Sequence, residues 1–90
     1  MGRETRKSLR RYVHQGARLV SAAGADLGTC VLHDISGHGA RIEPNQPQDI
    51  PDFFVLLLSH DGRLRRQCSV VWRAKGTVGV EFIRDFPKSP

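Results

Sequence analysis

The sequence predicts an all-β fold, a small six-stranded antiparallel β-barrel with a flexible basic N-terminal arm. Apolar residues seldom recur at helical spacing, whereas short stretches alternate apolar and polar residues. Glycine, proline and aspartate punctuate these stretches at turn-like intervals. The 90 residues, 39% of them hydrophobic, suffice for one core and not for a second domain beside it. A sheet that small avoids exposed edges by closing on itself.

Residues 13–21 form a ragged first strand, and Ala23-Gly24-Ala25-Asp26 supplies the turn before a second strand at residues 29–35. A short third strand covers residues 39–43. Pro44, Pro47 and Pro51 then impose an irregular connection, because proline neither donates to a ladder nor continues a helix. Residues 53–60 make a fourth strand, and Asp61-Gly62 signals a two-residue type I′ hairpin into a fifth at residues 64–72. Alternation there puts Cys68, Val70 and Trp72 on one face, so Trp72 is expected in the core, with an edge lining a ligand surface as the rarer alternative, and Arg63, Arg65 and Arg66 as a solvated flank. Lys75-Gly76 is another turn, after which Val78, Val80 and Phe82 alternate as a sixth strand. The expected organisation is an arm at residues 1–11, a barrel at 12–84 and a loose tail at 85–90.

Phe53, Phe54, Val55, Leu56, Leu57 and Leu58 depart from alternation, being apolar at both parities. Such a strand needs cover on both faces. A terminal segment packed over the outer face is the plainer solution; a homodimer through residues 53–58 is the other.

Charge is uneven along the chain. Six of the 14 Lys and Arg residues lie in the first 18 positions, namely Arg3, Arg6, Lys7, Arg10, Arg11 and Arg18, against one acid, Glu4. The remainder carries eight basic and eight acidic residues, so the formal charge of +5 resides in the N-terminal segment. A local cationic arm calls for a local anionic partner. The N-terminus has no apolar stretch suited to a secretory signal, and no run approaches the ~18 apolar residues of a membrane span. Cys30 and Cys68 form no CxxC and are expected as buried free thiols in a reducing cytoplasm.

The spacing Arg6-x-x-x-Arg10, then Asp34-x-Ser36-x-x-Gly39, then Val71-Trp72 and Gly79-Val80-Glu81-Phe82 resembles a PilZ domain across nearly the whole chain. RxxxR alone carries little weight in a basic sequence and DxSxxG alone a moderate one; their order together with the closing GVEF strand is specific. The resemblance implies a bacterial receptor for cyclic di-GMP built on a barrel of about six strands. It implies ligand-binding roles for Arg6, Arg10, Asp34, Ser36 and Gly39, with Arg11 as an accessory. RxxxR could also be read one position on, as Lys7 with Arg11, but lysine replaces a forked, stacking guanidinium poorly, which favours Arg6 and Arg10.

The residue types suit that ligand. Guanidinium groups grip phosphate oxygens through paired, charge-assisted hydrogen bonds, and they can meet the N7 and O6 edge of guanine or lie flat on the base. Asp34 can accept hydrogen bonds from the N1 and N2 donors of guanine, which a phosphate-only site would not need. Ser36 offers a small donor and acceptor, and Gly39 permits positive φ or a close backbone approach. The plainer readings are an ordinary turn capped by Asp34 and Ser36 and a solvated basic tail. The arm is expected to order when ligand binds.

Cys30, His33, His38 and His60 match no familiar zinc spacing, and no Ser/His/Asp order or carboxylate pair suggests catalysis. The leading expectation is a stand-alone cytoplasmic cyclic di-GMP receptor that acts through an unidentified effector protein, without enzyme activity, cofactor, metal or membrane insertion. Two rivals remain open: a PilZ-like interaction or oligomerisation module without nucleotide binding, and a small basic barrel that binds RNA or DNA.

Overall fold

The computed structural model describes residues 10–87, and over them the chain forms six antiparallel strands and no α-helix. They are β1 (Arg11–Val20), β2 (Asp26–Ile35), β3 (Gly39–Pro44), β4 (Phe53–Leu57), β5 (Arg65–Ala74) and β6 (Thr77–Ile83). The strands close into a barrel in the order β1-β2-β3-β6-β5-β4, with β4 returning to pair with β1. The expected fold class is therefore found, with β1, β2 and β5 longer than the alternation alone suggested.

Alternation builds the interior. Leu19, Leu32, Ile42, Phe54, Leu56, Cys68 and Val78 point inward and are almost entirely buried. Each large aliphatic or aromatic side chain withdrawn in this way contributes about 1.5–3 kcal/mol. Ile50, from the proline-rich connection, joins the same core just after a single 3-10 turn at Pro47–Asp49. Arg73 fixes that connection to β5, donating from one guanidinium nitrogen to the Ile50 carbonyl and from the other to Asp52 Oδ1, both at 2.8 Å.

Of the two hairpin turns at the β5 ends, the one at Lys75-Gly76 is found where expected, and the one at Asp61-Gly62 differs. Lys75 and Gly76 both have positive φ, 52° and 80°, so the two-residue type I′ geometry occurs between β5 and β6. The Asp61-Gly62 hairpin is instead a longer loop, because β4 ends at Leu57 and β5 begins at Arg65. The Ser59 hydroxyl donates to Asp61 Oδ1 at 2.7 Å and accepts from the Leu64 N–H at 3.0 Å, while Asp61 Oδ1 also accepts from the Arg63 N–H. Local side-chain bonds of this kind compete with the ladder and end β4 three residues before His60.

Both faces of β4 are buried. Phe54 and Leu56 face the interior, and Val55 and Leu57 are buried on the outer side. Phe86, beyond the end of β6, lies edge-on to Phe53 with ring centroids 6.3 Å apart, so the chain itself supplies part of the outer cover.

Candidate functional site

A bulge in β2 creates the site. Leu32 pairs with Ile42, but the next pair is Asp34 with Arg41, which leaves His33 as an extra residue. Unbroken alternation after Cys30 and Leu32 would send Asp34 into the barrel. The bulge turns it to the side of the sheet where Arg41 stands, a common use of bulges beside functional sites. There Arg41 Nε donates to Asp34 Oδ2 at 2.8 Å, and Arg10 Nε lies 3.6 Å from Asp34 Oδ1. The carboxylate is 2% exposed, whereas Arg41 and Arg10 are 41% and 60% exposed. Two outward-reaching guanidinium groups are thus anchored on one buried anion.

The β2–β3 turn closes one side. Ser36 Oγ accepts from the backbone N–H of His38 at 3.1 Å and of Gly39 at 3.3 Å, and the Ser36 N–H donates to the Gly39 carbonyl at 2.9 Å. Ser36 therefore spends much of its hydrogen-bonding capacity shaping the loop. Gly39 does not need positive φ; a Cβ there would collide with the Val80 carbonyl oxygen of β6, so the requirement is close approach of two strands. The Phe82 N–H donates to the His38 carbonyl at 2.7 Å and ties the turn to β6.

A second bulge supplies the opposite wall. Val70 pairs with Val80, and the next pair is Trp72 with Gly79, so Val71 is the extra residue. Trp72 is thereby displaced from the core face to which alternation assigned it. This corrects the expectation of a core tryptophan: the side chain is 43% exposed and lies across Gly79, where the absence of a side chain leaves room for the indole. Arg10, Asp34, Ser36, Arg41, Trp72 and Glu81 are among the residues that line the resulting cavity of about 250 Å³.

Of the residues singled out from the sequence, Arg10, Asp34, Ser36 and Gly39 meet at this cavity. Arg11 pairs with Ile35 at the start of β1 and does not line it. Arg6 and the alternative partner Lys7 lie outside the described residues, as does most of the expected arm at residues 1–11. Arg41 was missed. Its signal was its place one residue before Ile42, which fixes it on the outer face of β3 across from Asp34.

Other clusters do not assemble into a centre. Among the described residues no group of three or more His, Cys, Asp or Glu side chains is placed to hold a metal ion. His33 Nε2 is 2.9 Å from Glu43 Oε1, and Cys30 and Cys68 are buried free thiols that desolvation pushes up to about 12. No helix among the described residues is long and apolar enough to cross a membrane.

Comparison with known proteins adds one positive finding. A family model described as PilZ domain matches residues 4–89 of the chain. No curated protein matches it significantly.

Proposed function

The chain belongs to the PilZ domain family, known as cyclic di-GMP receptor domains, and from that membership we propose that it is itself a cyclic di-GMP receptor. It carries no catalytic role in this reading. In the cytoplasm it passes the level of the second messenger to a partner protein.

The observation that supports this most strongly is the convergence of Arg10 and Arg41 on the buried Asp34, beside the exposed indole of Trp72. Phosphate oxygens suit the two guanidinium forks, and a guanine base suits the indole face. The Arg10 contact is the looser of the two at Asp34. Arg10 can therefore turn to a phosphate or to the guanine N7 and O6 edge, which frees Asp34 Oδ1 for the N1 and N2 donors of the base. Arg41, bonded to Asp34 Oδ2, holds the carboxylate oriented while this happens. Ser36 and Gly39 act by holding the β2–β3 turn against β6.

The cavity of about 250 Å³ falls below the ~300–1,000 Å³ of pockets that enclose small ligands. It suits part of a dinucleotide.

Calorimetric titration of the whole chain with cyclic di-GMP, beside GTP and a short single-stranded RNA, tests the proposal. Saturable binding of cyclic di-GMP alone is expected, weakened at least tenfold by Arg10→Ala and by Asp34→Ala. Absence of cyclic di-GMP binding overturns the reading. Tighter, steeply salt-dependent binding of RNA would support a nucleic-acid module instead.

A further inference from the structure

β1 is longer than the strand that closes the barrel against it. It spans Arg11–Val20 and pairs with β2 along most of that length, but β4 pairs only with Arg18, Leu19 and Val20. Across residues 11–17 the second edge of β1 therefore has no strand partner among the described residues. The gap exists because residues 58–64 fold into their own loop instead of prolonging β4. Between that edge and residues 57–60 lies a groove of about 750 Å³, with Ala17, Leu57 and Leu58 as apolar lining and Gln15, Arg18 and His60 as polar lining.

Backbone N–H and C=O groups along such an edge accept an added strand. We propose that the free edge of β1 is a docking site for an extended acidic segment of a partner protein, which adds as a strand beside residues 11–17. Charge selects the occupant. No residue lining the groove is acidic, and the Asp61 carboxylate in the adjoining loop is engaged by Ser59 and Arg63. Arg18 and Arg65 flank Leu57 as its register partners on either side. A second copy of the chain would bring the same cations to the edge, which discourages self-pairing.

The pleat also specifies a pattern. Ala17 is turned to the barrel interior and Arg18 outward, so the added strand presents apolar and acidic residues alternately. Seven residues of edge correspond to about 24 Å, enough for one short strand. None of the groove residues lines the cavity beside Asp34, so this inference stands or falls independently of nucleotide binding.

Selection of a random dodecapeptide display library on the whole chain, without nucleotide, tests it. The expected winners alternate Asp or Glu with Val, Ile, Leu or Thr. Adding a winning peptide should protect alternate amides of residues 11–17 from hydrogen exchange at least tenfold. Arg18→Glu, and Arg65→Glu as a second exposed variant with an intact amide spectrum, should each weaken the peptide at least fivefold. The proposal is overturned by the absence of enrichment, by winners that are basic or purely apolar, by protection at another site, or by affinity indifferent to both variants. Sedimentation showing that the edge is instead filled by a second copy overturns it as well.

Discussion

Trp72 lies so close across Gly79 that a Cβ at position 79 would collide with the indole Nε1. The contact follows from the bulge at Val71, which swings Trp72 out of the core series begun by Cys68 and Val70. The bulge at His33 does the same for Asp34. Two single-residue irregularities, on strands either side of the β3–β6 pair, thus bring an aromatic platform and a buried carboxylate to one outer surface.

Gly79→Ala should displace the indole while the strand persists, since the clash is with a side chain that can turn away. Cyclic di-GMP affinity is expected to fall about tenfold, the ~1–1.5 kcal/mol of one lost stacking contact. Gly39→Ala differs, because its Cβ meets the Val80 carbonyl and the β6 backbone must give way. That variant should lose about 1–3 kcal/mol of stability. Thermal unfolding with calorimetry separates the two effects, and equal stability losses would contradict the assignment.

Arg41 and Arg10 should not be equivalent in the unliganded fold. Arg41→Ala removes the 2.8 Å partner of a carboxylate that is 2% exposed, leaving a buried charge poorly compensated. A cost of about 3 kcal/mol is expected from urea unfolding. Arg10 is more exposed and sits at 3.6 Å, so Arg10→Ala should cost less than about 1 kcal/mol while still impairing ligand binding. Similar costs for both would show that Asp34 is not anchored chiefly by Arg41.

The strands were legible from turn residues and composition, and the inner face where alternation ran unbroken, as at Val78 and Val80; at residues 53–58, apolar at both parities, the strand was legible but not which face looks inward. The motif residues Arg10, Asp34, Ser36 and Gly39 were legible through their spacing. Trp72 was misplaced because a bulge inverts the parity of all that follows it, and no residue type in Ser69-Val70-Val71-Trp72 announces one. Arg41 escaped notice for the opposite reason: its position was readable from Ile42, but its role depends on Asp34 being turned outward by the bulge at His33. The Ser59 and Asp61 side-chain bonds that lengthen the β4–β5 loop compete with a strong Asp-Gly turn signal, which composition alone could not decide.

Burial raises the thiols of Cys30 and Cys68 from an ordinary 9.0 to about 12, with the buried surroundings as the largest cause in each. The folded state therefore keeps protons that the unfolded chain releases. Stability should be unaffected by these groups below pH 9 and should decline as pH rises from 9 towards 12. Cys30→Ala/Cys68→Ala should flatten that alkaline decline in urea midpoints, at a separate cost in packing, and an unchanged slope would count against the effect. In the native chain both thiols should resist alkylation at pH 8 until urea unfolds the barrel.

Phe86 covers the outer face of β4 through Phe53, and Gln67, the register partner of Val55 and Ile83, has its Oε1 buried with no hydrogen-bond partner among the described residues. Phe86→Ala should lower stability by about 1–2 kcal/mol through the lost edge-on contact and the exposed apolar surface. Gln67→Leu should raise it by about 1 kcal/mol, because it removes an unsatisfied buried carbonyl. Thermal midpoints moving in the opposite directions would contradict this account of the outer face.

Amide and indole chemical-shift mapping during titration with cyclic di-GMP tests the central claim most directly. The account predicts that the largest changes fall on Arg10, Asp34, Arg41, Gly79 and the Trp72 indole N–H, with the groove at residues 15–18 little affected. Saturating changes confined to other strands, or no changes at all, would contradict it.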